Sequence, residues 1–393
     1  MPIALWALAI AAFGIGTTEF VVSGLLPEVA ATFDITIPVA GHMATSYALG
    51  VFIGAPITII LGARLPRKTM LAGLLVLFIV GNIVTAVAPT YAVALLGRVI
   101  TSLTHGAFFG IGSIMAADLV APGRRTSAIA FVFTGLTVAT LIGTPAGTWL
   151  AQTVSWRATF AAIAVVGVVA IAGVLAWVPR TERQTPPRLG EELAAFTDVR
   201  CLLAMGITIL GPAAFFTSIT YVAPMATEVA GFDAAAVTWL LSLFGLGLFV
   251  GNILGGRFAD KALMPLLYVS LSAQAVVLLA FYAFAESQIA SAISIFLMSA
   301  FGFATVAPIQ KLVTDNARAA GAPNLAAAVN IGLFNLGNAI GAGLGGAVIA
   351  SGYGYAAPNW AGAVLSLAAL VLAVASGVLG QREPSSSPVP GNA

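Results

Sequence analysis

Apolar residues in this chain do not alternate with polar ones. They come in runs of the length that carries a helix across a bilayer core, about 20 residues, and short polar breaks separate the runs. Twelve runs are read, near 3–27, 38–61, 69–88, 91–117, 127–150, 158–178, 202–227, 235–254, 264–285, 289–309, 324–349 and 361–380. A helix that is apolar on every side faces lipid or other helices. The pattern therefore predicts an all-α, polytopic membrane protein with twelve transmembrane helices. Residues 1–10, MPIALWALAI, lack the basic stretch of a secretory leader, so the first run is read as a retained helix.

Charge settles which way the helices run. Of the 16 Lys and Arg residues, 14 fall at the same membrane face if the N-terminus lies inside: Arg64, Arg67, Lys68, Arg124, Arg125, Arg180, Arg183, Arg188, Arg200, Arg257, Lys261, Lys311, Arg318 and Arg382. Basic residues stay on the cytoplasmic side of short loops. Arg157 alone falls in an outer loop, while Glu28, Asp34, Glu228, Asp233 and Glu286 lie near the outer face. The expectation is a multi-pass protein of a bacterial cytoplasmic membrane, with both termini in the cytoplasm and the lipid bilayer as its surroundings. The tail, QREPSSSPVPGNA, reads as disordered over 381–393.

The longest polar stretch, from Pro179 to Arg200, marks a cytoplasmic linker between two halves. Shifting the chain by 197 residues superposes Pro27 on Pro224, Gly50 on Gly247, Phe52 on Phe249, Gly54 on Gly251, Arg64 on Lys261 and Gly135 on Gly332. An even number of spans separates the copies, so both halves have one orientation, the parallel repeat of a two-lobed secondary transporter. The predicted units are a six-helix lobe over 1–178, a linker over 179–201 and a second six-helix lobe over 202–380, related by pseudo-symmetry.

Composition closes off other classes. Only 8% of the 393 residues are charged and 60% are hydrophobic, against about 25% charged in soluble domains, which excludes a soluble enzyme. The single cysteine, Cys201, excludes disulfide frameworks and cysteine-based metal sites. The net charge of +2 is scattered, without a basic cluster for nucleic acid. No phosphate-binding loop, HExxH or GxSxG motif is present. No enzyme activity, metal or organic cofactor is expected, and the chain is taken to act as a monomer.

An ionised group inside a membrane helix costs at least a few kcal/mol, which makes it a functional candidate. Two stand clearly inside spans, Glu19 and Arg98. At 1.5 Å per residue, Glu19 lies roughly 24 Å along the first helix and Arg98 roughly 10 Å from the outer start of the fourth, at similar depth. A carboxyl group there is costly when ionised and tolerated when protonated, the behaviour a proton-coupling site requires. A permanent Glu19–Arg98 ion pair, or Glu19 bonded to Thr17 or Thr18, is the alternative. His105, inside the fourth span, is either a proton relay or a neutral core residue. The second half has no comparable interior charge, so coupling is assigned to the first.

Substrate contacts are expected from Thr17, Thr18, Tyr47, Phe108, Phe109, Tyr221, Asn252, Asn330 and Asn335, drawn from a pool that also holds Ser46, Gln310 and Asn338. With no charge inside the second half, they favour an uncharged or weakly charged, partly apolar small molecule. Asp118, ending the fourth helix, is read as an interhelix clamp. In the fifth span Gly135, Gly143 and Gly147 share one face around Pro145, which permits a bend and close backbone approach. With the glycine-rich string 332–346 they are expected to line a contact between the lobes.

The segment GTTEFVVSGLLPEVA (16–30), the arginine of RVITS (98–102), GTPAG (143–147) and SWRATF (155–160) resemble the major facilitator superfamily, in its twelve-helix drug:proton antiporter group. ITIPVAGHMATSYALGVFIGAP (35–56) and THGAFFGIGS (104–113) resemble AraJ-type, chloramphenicol-resistance and sugar-efflux exporters. RLPRK (64–68) is similar to the end of the family's loop motif, with Ala63 in place of its aspartate, and GGRFADK (255–261) keeps Asp260. The resemblance implies a gating role for Arg64, Arg67, Lys68 and Asp260, and a proton gradient as energy source. It implies an exporter of a drug such as an amphenicol, or of a sugar, with a proton-coupled importer of a nutrient as the second reading.

Overall fold

A computed structural model describes residues 2–62, 65–180, 198–319 and 323–381. Arg64, most of the linker and the tail after Gln381 therefore lie outside the described residues. The described residues contain no strand and form twelve helices long and apolar enough to span a membrane. In chain order they are α1 (Ile3–Phe20), α2 (Ile37–Thr58), α3 (Arg67–Ala86), α4 (Tyr91–Asp118), α5 (Pro122–Thr153), α6 (Trp156–Trp177), α7 (Val199–Ile219), α8 (Ala236–Phe258), α9 (Leu263–Ala283), α10 (Gln288–Arg318), α11 (Val329–Tyr353) and α12 (Ala357–Leu379). The end at which α1 starts is called the near end below, and the opposite one the far end.

Several helices start where a short polar side chain replaces a missing backbone partner. Ser155 Oγ accepts from the Arg157 N–H before α6, and Asp198 Oδ1 accepts from the N–H groups of Arg200 and Cys201 at 2.9 Å each. Three helices depart from a plain span. Beyond α1 the chain turns at Val21 into a second helix, Val22–Phe33, which stops at Asp34 with a left-handed φ of 52°. Helix α10 runs to Arg318 because its polar last turns carry their own ion pairs, with Lys311 Nζ 3.3 Å from Asp315. Helix α5 holds a π-turn over Ala139–Gly143 just before Pro145; the proline has no N–H to offer the preceding turn, and the ladder widens there.

The helices form two pseudo-symmetric six-helix lobes. In the first, Gly50 of α2 lies against Ser102 of α4 and Gly54 against Leu103. In the second, Gly247 of α8 lies against Ser299 of α10 and Gly251 against Ala300. Each residue of the second pair of contacts is its counterpart displaced by 197 positions. Phe78, Phe108 and Phe160 fill the interior of the first lobe, and Phe215, Phe244 and Phe281 that of the second. Outward-facing Ile53, Trp149, Val165 and Val371 are more than half exposed, as suits surface facing lipid tails.

The fifth-span glycines do not line the lobe contact expected of them. Gly135 lies against Ala9 of α1, Gly143 against Phe13 and Thr17, and Gly147 against Val21 and Thr159 of α6. They draw α5 onto α1 and α6 of the same lobe. The eleventh-span glycines divide. Gly337, Gly341 and Gly345 abut α7 of their own lobe, and Gly332 meets Phe52 across the interface. Further close crossings include Gly245 of α8 against Thr140 and Leu141, and Gly24 against Leu241.

Candidate functional site

A cavity of about 210 Å³ lies between the lobes. Toward the far end it is closed by side chains that cross the interface. The Phe20 ring sits 5.8 Å from that of Phe216 and 5.9 Å from that of Phe244, and Gln152 donates to the Ala234 carbonyl at 2.8 Å. Tyr221, just past α7, donates to the Ala342 carbonyl at 2.9 Å with its ring against Gly41 of the first lobe. From Glu19 the cavity extends toward the near end, past Thr208, Gln310 and Asn330.

The two halves contribute different chemistry to its wall. Among the described residues the first supplies both ionisable lining groups, Glu19 and His105, beside Phe20, Phe109, Phe133 and Thr140. Glu19 and His105 are each 8% exposed at the side chain, with His105 Nδ1 3.8 Å from a Glu19 oxygen, too long for a hydrogen bond. The same Nδ1 lies 3.1 Å from the Tyr47 hydroxyl, the donor being set by the tautomer. One ring nitrogen thus stands between a phenol and a carboxyl group. The second half supplies uncharged groups. Thr208 donates to Asn330 Oδ1, and Asn330 Nδ2 to Gln310 Oε1, both at 2.6 Å, while Asn252 and Asn335 complete the polar lining.

Arg98 does not pair with Glu19, and no ion pair within 4.0 Å joins them. Its guanidinium is fully buried and committed elsewhere: Nη1 donates to the Thr18 carbonyl at 2.8 Å and to Thr18 Oγ1 at 3.0 Å, and Nε to the Met43 carbonyl at 3.3 Å. The rings of Tyr47 and Phe160 lie 4.3 and 5.6 Å from its centre. Equal depth in the membrane brought the two charges near each other without turning them face to face. The partner Glu19 does have comes from the opposite lobe, Asn338, whose Nδ2 is 3.5 Å from Glu19 Oε1.

Of the residues expected to touch substrate, Phe109, Asn252, Asn330 and Asn335 line the cavity and the others do not. Thr17 donates to the Phe13 carbonyl, and Thr18 donates to Asn82 Oδ1. Tyr47 stands behind His105, Phe108 is in the lobe interior, and Tyr221 seals the far end. Phe20, Phe133, Leu136, Phe303 and Phe334, which sequence reasoning left out, do line it. Among the expected gating residues Arg67 contacts Asp118, joining α3 to α4; Lys68 donates to the Leu175 carbonyl at 2.7 Å; and Asp260 lies 3.5 Å from Lys311. These contacts hold elements of a single lobe together.

Two six-helix lobes closing on one central cavity, with titratable groups on one wall and neutral amides on the other, define a two-lobed membrane transporter. Comparison with known proteins agrees. The chain belongs to the Major Facilitator Superfamily, whose model matches residues 8–333, and it is a transporter and not an enzyme. It is 42% identical over 368 residues to the inner membrane transport protein YdhP of Escherichia coli strain K12, covering 94% of each chain. It is 33% identical to the chloramphenicol resistance protein of Streptomyces lividans, over 95% of this chain and 96% of that one. Among solved structures, a D-xylose-proton symporter superposes with a TM-score of 0.77 at 16% identity, covering 94% of this chain and 96% of the other. That likeness concerns the fold.

Proposed function

We propose that the protein is a proton-coupled antiporter of the cytoplasmic membrane. It exports a small, uncharged or weakly charged, partly apolar molecule by alternating access between the lobes over 1–178 and 202–380. One observation carries the reading: among the described residues Glu19 is the sole carboxyl group on the cavity wall, set among aromatic rings. An ionised carboxyl group in such surroundings is stabilised only when water or a cation approaches, so proton binding and cavity opening are linked. Lys and Arg concentrate at the near end, which makes that end cytoplasmic by the positive-inside rule. The cavity then faces the cytoplasm, where an exporter loads.

In this cycle Glu19 releases its proton inward as the ligand enters, and takes up another after the ligand has left outward. His105 and Tyr47 form the neighbouring relay. Arg98 acts by holding Thr18 and the backbone beside Glu19. Aromatic lining with neutral amides suits a molecule such as an amphenicol, in keeping with the name of the Streptomyces lividans relative. The test is transport of labelled chloramphenicol into inverted vesicles under an imposed pH gradient. Wild type accumulates the label in response to the gradient and Glu19→Gln does not. A full response by Glu19→Gln refutes the reading, and accumulation confined to right-side-out vesicles makes the protein an importer.

A further inference from the structure

Asn338 is 1% exposed and belongs to α11, yet its carboxamide reaches the proton site of the other lobe. Its orientation follows from its partner. A carboxyl group offers an accepting oxygen whether or not it carries a proton, and the amide nitrogen faces Glu19 Oε1, at the long distance of 3.5 Å. The amide oxygen is buried and has no hydrogen-bond partner. A buried carbonyl oxygen without a donor is unfavourable, and the donor best placed to reach it is a proton on Glu19 itself.

We propose that Asn338 is a positioning residue that converts protonation of Glu19 into closure of the far end. This rests on Glu19 being the proton site. When Glu19 takes up a proton, its new O–H donates to Asn338 Oδ1 while Asn338 Nδ2 donates to the other carboxyl oxygen, a cyclic acid–amide pair with two hydrogen bonds. No covalent bond other than the O–H changes. When the proton leaves, one N–H contact remains, and the carboxylate oxygen now faces the amide oxygen. The pair spans the lobes, so the protonated form favours the far-end-closed arrangement and the ionised form releases it. An exporter needs that sign: it returns to the cytoplasm carrying a proton and opens outward after losing it.

Other groups surround Glu19. His105 and Arg98 lie near it on α4 and Tyr47 on α2, whereas among the described residues the second half contributes no titratable residue to the cavity wall. A cross-lobe response to pH therefore passes through a neutral group of that half, and Asn338 is the one in contact.

The experiment measures far-end separation by spin-label distances in the full-length protein. Labels go on Val154→Cys in the loop before α6 and Ile289→Cys at the start of α10, 68% and 75% exposed, in a Cys201→Ala background. In the parent, acidification moves the population to the short distance, by about tenfold in the closed-to-open ratio for one hydrogen bond gained at a buried acceptor. Asn338→Leu loses that shift while keeping both distances in its distribution, and Asn338→Ala serves as a second, smaller replacement. Glu19→Gln gives one distribution at every pH, weighted to the short distance because its amide pairs with that of Asn338. A full shift in either Asn338 variant, or none in the parent, overturns the proposal. A full shift in Glu19→Gln overturns instead the assignment of the proton to Glu19.

Discussion

Arg98 tests whether the two membrane-embedded charges of the first lobe form a functional pair or a support and a site. The perturbation is Arg98→Met, which keeps the length of the stem and removes the guanidinium. It deletes two hydrogen bonds to Thr18 and one to Met43, and the cation–π contact over Tyr47. A buried carbonyl left without a donor costs about 1–3 kcal/mol, and a desolvated cation–π contact is worth about 2 kcal/mol. The Met43 carbonyl keeps a second donor in Ser46 at 3.4 Å, and relief from burying a charge offsets part of the sum. A net loss of about 2–4 kcal/mol follows. Glu19→Gln keeps the shape of its side chain and should be close to neutral. With no ion pair within 4.0 Å between the two residues, the double variant should stay as destabilised as Arg98→Met, with a coupling energy near the low end of the about 0.5–3 kcal/mol seen for neighbouring residues. Equilibrium unfolding of the purified protein in mixed micelles reads all four corners of the cycle. Recovery of stability in the double variant would show that Arg98 exists to neutralise Glu19 and not to hold Thr18.

The remaining predictions concern the interface and the wall. A side chain at Gly245 meets the backbone of Thr140 and Leu141 across the lobes, which cannot yield as a rotamer can. Gly245→Val should therefore oppose far-end closure by about 1–3 kcal/mol, seen as the long spin-label distance at all pH values, and an unchanged distribution would show that this contact does not limit closure. Asn335 donates to the Ile331 carbonyl at 3.0 Å and leaves its own buried oxygen unpartnered on the cavity wall. Asn335→Leu should weaken binding of chloramphenicol, a neutral aromatic with hydroxyl and amide donors, by about tenfold in calorimetry at constant pH. Equal affinity would remove Asn335 from the site.

How much of this was readable beforehand depends on which coordinate of a helix is asked for. Depth was readable, because rise per residue is constant: the twelve spans were placed by their apolar runs, and Glu19 and Arg98 were set at one level. The repeat was readable too, and the offset of 197 that aligned Gly50 with Gly247 also relates their contacts, Ser102 and Ser299. Rotation about the helix axis was not. In a soluble helix the apolar stripe announces the inward face, but here lipid and lobe interior are equally apolar. Phe108 and Phe109 are adjacent in sequence, and only the second lines the cavity. Tyr47 and Tyr221 looked alike as buried phenols, and one backs His105 while the other plugs the far end.

The same blindness to rotation left the partner of Glu19 open between Arg98 and the neighbouring threonines, and the contact with Asn338 alters what coupling requires. An ion pair with Arg98 would lie within one lobe and would stay intact while the lobes rock, so its protonation would carry no information about which end is open. A contact with Asn338 is broken or made by the rocking itself. Linkage is reciprocal: if a proton on Glu19 favours the closed far end, closing the far end favours the proton. Neutrality on the second wall is then a condition of the coupling as well as a guide to the ligand. A fixed cation at Asn338 would hold the ionised carboxyl group across the interface and stabilise the closed form without a proton, whereas an amide, which both donates and accepts, binds the protonated group with two hydrogen bonds and the ionised one with a single long contact.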